Sequence, residues 1–126
     1  MSVVKKFKFD AAHRLPNYEG KCKNLHGHGF KIEVEFFGPV NEKTGMVLDF
    51  SKIREYIEEH ILNRLDHSYL NDLLELPTAE NLVLWIMQTL KFGNRGSRPL
   101  FLKNIKLVRI RLYETNDSYA EWKENY

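Results

Sequence analysis

The chain has 126 residues, of which 43% are hydrophobic and 29% charged, with a net charge of +2; this is the balance of one compact domain with a modest core. So mild a charge argues against a nucleic-acid surface, which needs a concentrated basic face, and a lone cysteine excludes an intramolecular disulfide. No stretch approaches the ~20 apolar residues of a membrane span, and residues 1–6 lack the apolar run of a secretory signal, so a cytoplasmic single domain over residues 1–126 is expected.

Residues 3–13 alternate, with Phe7, Phe9, Ala11 and His13 on one parity and Lys6 and Lys8 on the other, which predicts a half-buried strand. Pro16, Asn17 and Gly20 then mark a loop. Alternation returns over 25–37, where His26 and His28 share the parity of Phe30, Ile32, Val34 and Phe36. Both strands therefore carry their histidines on the apolar side. Gly38 and Pro39 close the second strand, and residues 41–45 read as a turn. A helix is predicted from Asp49 or Ser51, either of which can cap it, to Leu65, with Ile53, Tyr56, Ile57, His60 and Ile61 along its stripe. Thr78 opens a second helix, with Glu80 in the first turn where it suits the dipole. Leu82 to Met87 and Leu90 make that helix apolar on more than one side, so it is expected to be buried on two faces or to meet another subunit.

Residues 93–99 form a basic loop whose Arg95 and Arg98 read as solvated. A third strand is predicted over 103–113, with Glu114 on the parity of Val108, Ile110 and Leu112, and a fourth over 118–124. The order strand, strand, helix, helix, strand, strand predicts an α+β fold, a four-stranded antiparallel sheet with both helices on one face. The other face lacks a cover, so association with further subunits is expected.

The chemistry gathers in a seven-residue stretch, Cys22 to His28. Histidines one residue apart point to the same side of a strand, and the intervening Gly27 keeps that strand slim. Taken singly, His13, His26 and His28 would each be core or surface residues; a strand-spaced pair joined by a third on a neighbouring strand points to metal binding. Neutral imidazoles favour zinc, and three protein ligands with an open fourth position mark a catalytic site. No neighbouring Cys, Asp or Glu completes the set in sequence, so the fourth position is expected to be open. Cys22 lies between Lys21 and Lys23, which favour the thiolate as nucleophile, general base or ligand; the plain alternative is a small loop filler. Asp66 and His67 read either as a helix end suited to the dipole or as a carboxylate orienting an imidazole that shares a proton with Cys22. Glu114, beside Thr115, is an inward carboxylate that is costly unless it binds something, and a ring N–H with an adjacent amino group is a natural bidentate partner. An ordinary turn acid is the alternative.

These residues resemble the 6-pyruvoyltetrahydropterin synthase superfamily, in the segments Phe9-Asp10-Ala11-Ala12-His13, Cys22 to His28 and Gly45 to Phe50. The match continues through Leu65 to Asn71, Pro77 to Asn81, and Glu114-Thr115. Cys-x3-His-Gly-His with the hydrophobic Leu25 before the first histidine is most similar to the queuosine-pathway 6-carboxytetrahydropterin synthase branch. The resemblance implies a tunnelling fold whose trimers close their sheets into a barrel and stack as a homohexamer. It implies zinc held by His13, His26 and His28, Cys22 as proton acceptor, and His67 as relay partner supported by Asp66. Glu114, with Thr115, would anchor a pterin ring, approached by Thr78 and Glu80 from a neighbouring subunit. The implied reaction converts 7,8-dihydroneopterin triphosphate to 6-carboxy-5,6,7,8-tetrahydropterin, releasing acetaldehyde and triphosphate; Lys21, Lys23 and Arg14 are the triphosphate candidates by charge. The pyruvoyl-type synthase is the runner-up, followed by a non-catalytic pterin-binding member and a zinc-stabilised structural module. No nucleic-acid or membrane partner is expected.

Overall fold

A computed structural model describes residues 1–93 and 102–124, with Cys22 described by its backbone alone. Arg95 and Arg98, read above as a solvated loop, lie outside the described residues.

The alternating stretches become strands β1 (Ser2–His13) and β2 (His26–Phe37), paired antiparallel along their whole length. Their apolar parity turns inward: Phe7, Phe9, Phe30, Ile32, Val34 and Phe36 are all buried, and Phe9 stacks on Phe30 with ring centroids 4.9 Å apart. Helix α1 (Phe50–Ile57) starts where Asp49 accepts the Ser51 N–H at 2.8 Å. It continues through a π-helical segment, Glu58–Leu62, into a closing turn, Asn63–Leu65. The π turn changes the pitch, yet Ile53, Ile57, Ile61 and Leu65 all stay fully buried, so the predicted stripe survives it.

The four predicted strands are present, but among the described residues the sheet has five. The additional one, β3 (Ser68–Tyr69), lies parallel to β1 with Ala11 opposite Ser68 and Ala12 opposite Tyr69. Two residues are too few to display an alternating pattern, which is why the expectation of four antiparallel strands is corrected here. Helix α2 (Ala79–Phe92) is capped by the Thr78 hydroxyl accepting the Asn81 N–H at 3.1 Å. Strands β4 (Lys106–Thr115) and β5 (Ser118–Lys123) complete the order β3-β1-β2-β4-β5. Residues Leu82, Val83, Ile86 and Leu90 of α2 join the same core as the inward strand residues, while Leu84 remains 45% exposed.

The opposite sheet face is closed by charge rather than by an apolar layer. Arg109 Nε donates to Glu35 Oε1 at 2.8 Å and its NH groups reach Glu33 at 3.3 Å; Arg111 Nε donates to Glu121 Oε1 at 2.8 Å. Strands β2, β4 and β5 are thereby tied side chain to side chain. Burial pushes the Glu35 carboxyl up, but hydrogen bonds from Arg109 and Ser2 outweigh it and hold the group below its ordinary value. Glu121 behaves alike, burial being outweighed by Arg111 and Lys123.

Carboxylates with depressed folded values stabilise the protein above their unfolded value and lose that contribution as pH falls through the folded one. Urea midpoints should therefore hold near neutrality and drop as pH falls below about 4.5. Arg109→Ala should cost about 2–4 kcal/mol at pH 7, because it takes the guanidinium from both Glu33 and Glu35, and should flatten that acid limb.

Candidate metal centre

The β1–β2 register sets Ala11 opposite His28 and His13 opposite His26. Three imidazoles thus leave two adjacent strands on the inward face. Their ring centroids lie 4.6 Å apart for His13 and His26, 5.2 Å for His13 and His28, and 4.8 Å for His26 and His28. Phe30 stands edge-on behind His13 and His28. A Cβ added at Gly27 would meet Ala11 O at 3.6 Å, and one at Gly29 would meet Asp10 Oδ1 at 3.4 Å, both ordinary contacts. No clash demands glycine there; what the two glycines do is leave the outer sheet surface bare behind the histidines.

The tautomers follow from the carbonyls that the rings meet. His13 Nδ1 lies 2.8 Å from Pro77 O and His26 Nδ1 lies 2.7 Å from Asn24 O. A carbonyl only accepts, so each Nδ1 carries the hydrogen, and in the neutral ring Nε2 is then the atom with a lone pair to offer. The Nε2 atoms of all three histidines are buried without a hydrogen-bond partner. Burial, aided by His13 and His26, lowers the His28 pKa against the pull of Glu114, which favours its neutral form.

Glu114 closes the group. Its Oε1 lies 3.2 Å from His13 Nε2 and 3.1 Å from His28 Nε2. With Nδ1 donating to Pro77 O, a neutral His13 would set acceptor against acceptor here, an arrangement that a cation relieves. Orphaned buried lone pairs beside a carboxylate are unfavourable by themselves; a cation among them satisfies all at once. His13, His26, His28 and Glu114 each offer one donor atom, all within 4.8 Å of one another. The four side chains can hold a metal ion.

The expectation of a set without a neighbouring acid is therefore corrected. The β4–β5 register shifts between Tyr113 and Thr115, which releases Glu114 from the ladder as a bulge residue, and bulges re-aim side chains. The start of α2 is also closer than expected. Pro77 O holds His13, and Glu80 and Glu114 line one groove of about 590 Å³ with Val83, Leu84, Tyr119 and Trp122. Glu80 thus shares a groove with Glu114 of its own chain, and Thr78 follows the residue whose carbonyl holds His13. Thr115 donates its hydroxyl to Asp117 at 2.9 Å, inside the β4–β5 turn.

A second cluster sits at the edge of β1. Asp66 Oδ1 accepts the Asp10 N–H at 3.0 Å and lies 3.1 Å from His67 Nδ1, and the His67 N–H donates to Asp10 O at 2.6 Å. His67 adopts a left-handed backbone, φ 58°, a costly conformation for a non-glycine residue that this clasp sustains. The Asp10 N–H, and then His67, hold the Asp66 carboxyl below its usual range. The His67 side chain is 79% exposed and borders a shallow depression with His28, Gly27 and Gly29. Sequence reasoning missed Asp10 and the Pro77 carbonyl, since both act through the main chain, which carries no residue signature.

Cys22 lies in a one-turn 3-10 helix, Lys21–Lys23, ahead of His26, and its thiol is outside the described atoms. Lys21 and Lys23 are exposed. The Arg14 main chain is fixed by Asn71, which accepts its N–H and donates to its carbonyl, both at 2.9 Å.

The family described as 6-pyruvoyl tetrahydropterin synthase matches residues 2–125. The 6-carboxy-5,6,7,8-tetrahydropterin synthase of Synechocystis is 43% identical over 95 residues, covering 71% of this chain and 74% of its own. That of Haemophilus influenzae is 33% identical, covering 97% and 98%. The solved structure of Caenorhabditis elegans 6-pyruvoyl tetrahydropterin synthase superposes with a TM-score of 0.82 at 25% identity, covering 99% of this chain and 96% of that one.

The donor set predicts uptake of a single divalent transition-metal ion per chain by metal-stripped protein. His28→Ala should lower the affinity at least about tenfold with little change in the thermal midpoint of the metal-free form, both read by metal titration and calorimetry.

Proposed function

The chain belongs to the 6-pyruvoyl tetrahydropterin synthase family, and from that premise we propose that it is a zinc-dependent lyase. It would convert 7,8-dihydroneopterin triphosphate and one water to 6-carboxy-5,6,7,8-tetrahydropterin, releasing acetaldehyde and triphosphate, as a step toward queuosine. The convergence of three buried, unpartnered Nε2 atoms carries this proposal, and the names of the Synechocystis and Haemophilus influenzae relatives direct it to the carboxy product.

The donor chemistry suits zinc, which accepts neutral imidazole and carboxylate oxygen alike. When bound, zinc supplies Lewis acidity at the substrate's side-chain oxygens, which acidifies the adjacent C–H. The chain's own groups do the rest. Glu114 accepts from the ring N–H and amino group, and Glu80 lines the same groove. Cys22 takes the proton from the side-chain carbon, and its lysine neighbours favour the thiolate this requires. His67 passes protons on: with Asp66 holding the Nδ1 side, its Nε2 is left to accept or deliver one, and the depressed Asp66 carboxyl stays ionised throughout. Lys21 and Lys23 meet the triphosphate. The working form is a cytoplasmic homohexamer of two stacked trimers.

The pyruvoyl-forming reaction is the second reading, favoured by the likeness to the Caenorhabditis elegans enzyme. It shares the metal and the proton carriers and differs in whether the side chain is cleaved.

Mass spectrometry of the product made from 7,8-dihydroneopterin triphosphate decides between the two: the carboxy product is expected, the pyruvoyl product selects the second reading, and no product removes the enzyme claim. Cys22→Ala should abolish turnover with zinc content unchanged. His67→Ala should lower kcat by about 10²–10⁴-fold, the usual worth of a positioned proton carrier. Chelation should remove activity while far-UV dichroism persists, since a core of fully buried Ile, Leu and Phe side chains, rather than the ion, holds the fold.

A further inference from the structure

Glu114 belongs to two sites at once. Its Oε1 faces His13 and His28 inside the donor cluster, and the same residue lines the groove between α2 and β5. At 29% side-chain exposure it forms the wall between them, and the bulge leaves it free of the β-ladder. From this double placement we infer that Glu114 is a displaceable fourth metal ligand, which leaves the ion when a ring docks in the groove. The ring half rests on the proposed function; the ligand half does not.

The two positions compete for the same carboxylate. Neutral imidazoles leave a divalent ion's charge undiminished, and one carboxylate is a strong oxygen partner for it. A bidentate grip on a ring N–H and its adjacent amino group uses both carboxylate oxygens, side by side in one plane. Oε1 would have to divide its lone pairs between that pair and the ion, which weakens its hold on the ion. Ring binding therefore draws the carboxylate outward and opens a coordination position as the substrate arrives. Without a ring, the carboxylate covers the ion and excludes water and stray oxygen ligands. Glu80, on the same groove wall, makes the outward position negative until donors arrive, which biases Glu114 inward in the empty protein.

The test uses the full chain loaded with Co²⁺ alone, whose visible absorption reports its ligands, and neopterin as an unreactive ring. Wild type, Glu114→Gln and Glu114→Ala are compared for Co²⁺ affinity by chelator competition, with dichroism as the folding control. Both variants should bind Co²⁺ at least about tenfold more weakly, and their spectra should differ from that of wild type. Neopterin should shift the wild-type spectrum and leave that of Glu114→Ala unmoved. Unchanged affinity and spectrum in the isosteric Glu114→Gln protein would overturn the ligand assignment. A wild-type spectrum that stays fixed while neopterin fluorescence shows binding would overturn the exchange. Failure of neopterin to bind would overturn the exchange and the pterin reading together, whereas variant spectra that differ from wild type would still keep the carboxylate on the ion.

Discussion

The register of one strand pair governs this molecule. With His13 opposite His26 and Ala11 opposite His28, three imidazoles fall on the face that elsewhere holds Phe9, Phe30 and Ile32. A slip of one residue would carry every one of them to the other side. The aromatic residues that bury the strands are what make such a slip costly, so the same packing that stabilises the sheet also aims the metal donors. Beyond the histidines the cluster depends on three further backbone arrangements: the Pro77 carbonyl at the start of α2, the Asn24 carbonyl before β2, and the bulge that frees Glu114.

The two sides of the sheet treat charge in opposite ways. On the outer side Glu33, Glu35, Arg109, Arg111 and Glu121 satisfy one another across three strands, so the network is a structural tie with no group left over. On the inner side the three Nε2 atoms are left without partners. Buried polar groups without partners lower stability, and their concentration at a single place, beside a carboxylate, distinguishes a binding site from core packing. The Asp66–His67 pair lies between these extremes. It is exposed and held by the main chain of β1 at Asp10, three residues before His13, so strand β1 joins this pair to the histidine cluster.

What could be read directly from the sequence was whatever depends on period and local chemistry. Strand parity placed His13, His26 and His28 together on the apolar face, the Asp49 and Thr78 caps located both helix starts, and Asp66 beside His67 suggested an oriented imidazole. What escaped was long-range or made by the backbone. Strand β3 is too short for its pattern to register, and the π turn leaves the apolar spacing of α1 intact. The approach of Glu114 to His13 joins residues a hundred positions apart through a bulge that no residue type announces. The parity of Glu114 was legible; that it points at the histidines themselves was not. The approach of the Pro77 carbonyl to His13, and of Glu80 to the groove that Glu114 lines, likewise depends on how α2 crosses the sheet, which local sequence does not encode.

The central claim is that three imidazoles hold one ion and that the sulfur of Cys22 stays free for proton transfer. X-ray absorption at the zinc edge, on the metal-loaded protein without substrate, measures this most directly. The account predicts a nitrogen and oxygen shell with the multiple-scattering pattern of three imidazoles and no sulfur neighbour at about 2.3 Å. A sulfur shell, or fewer than three imidazoles, would contradict it.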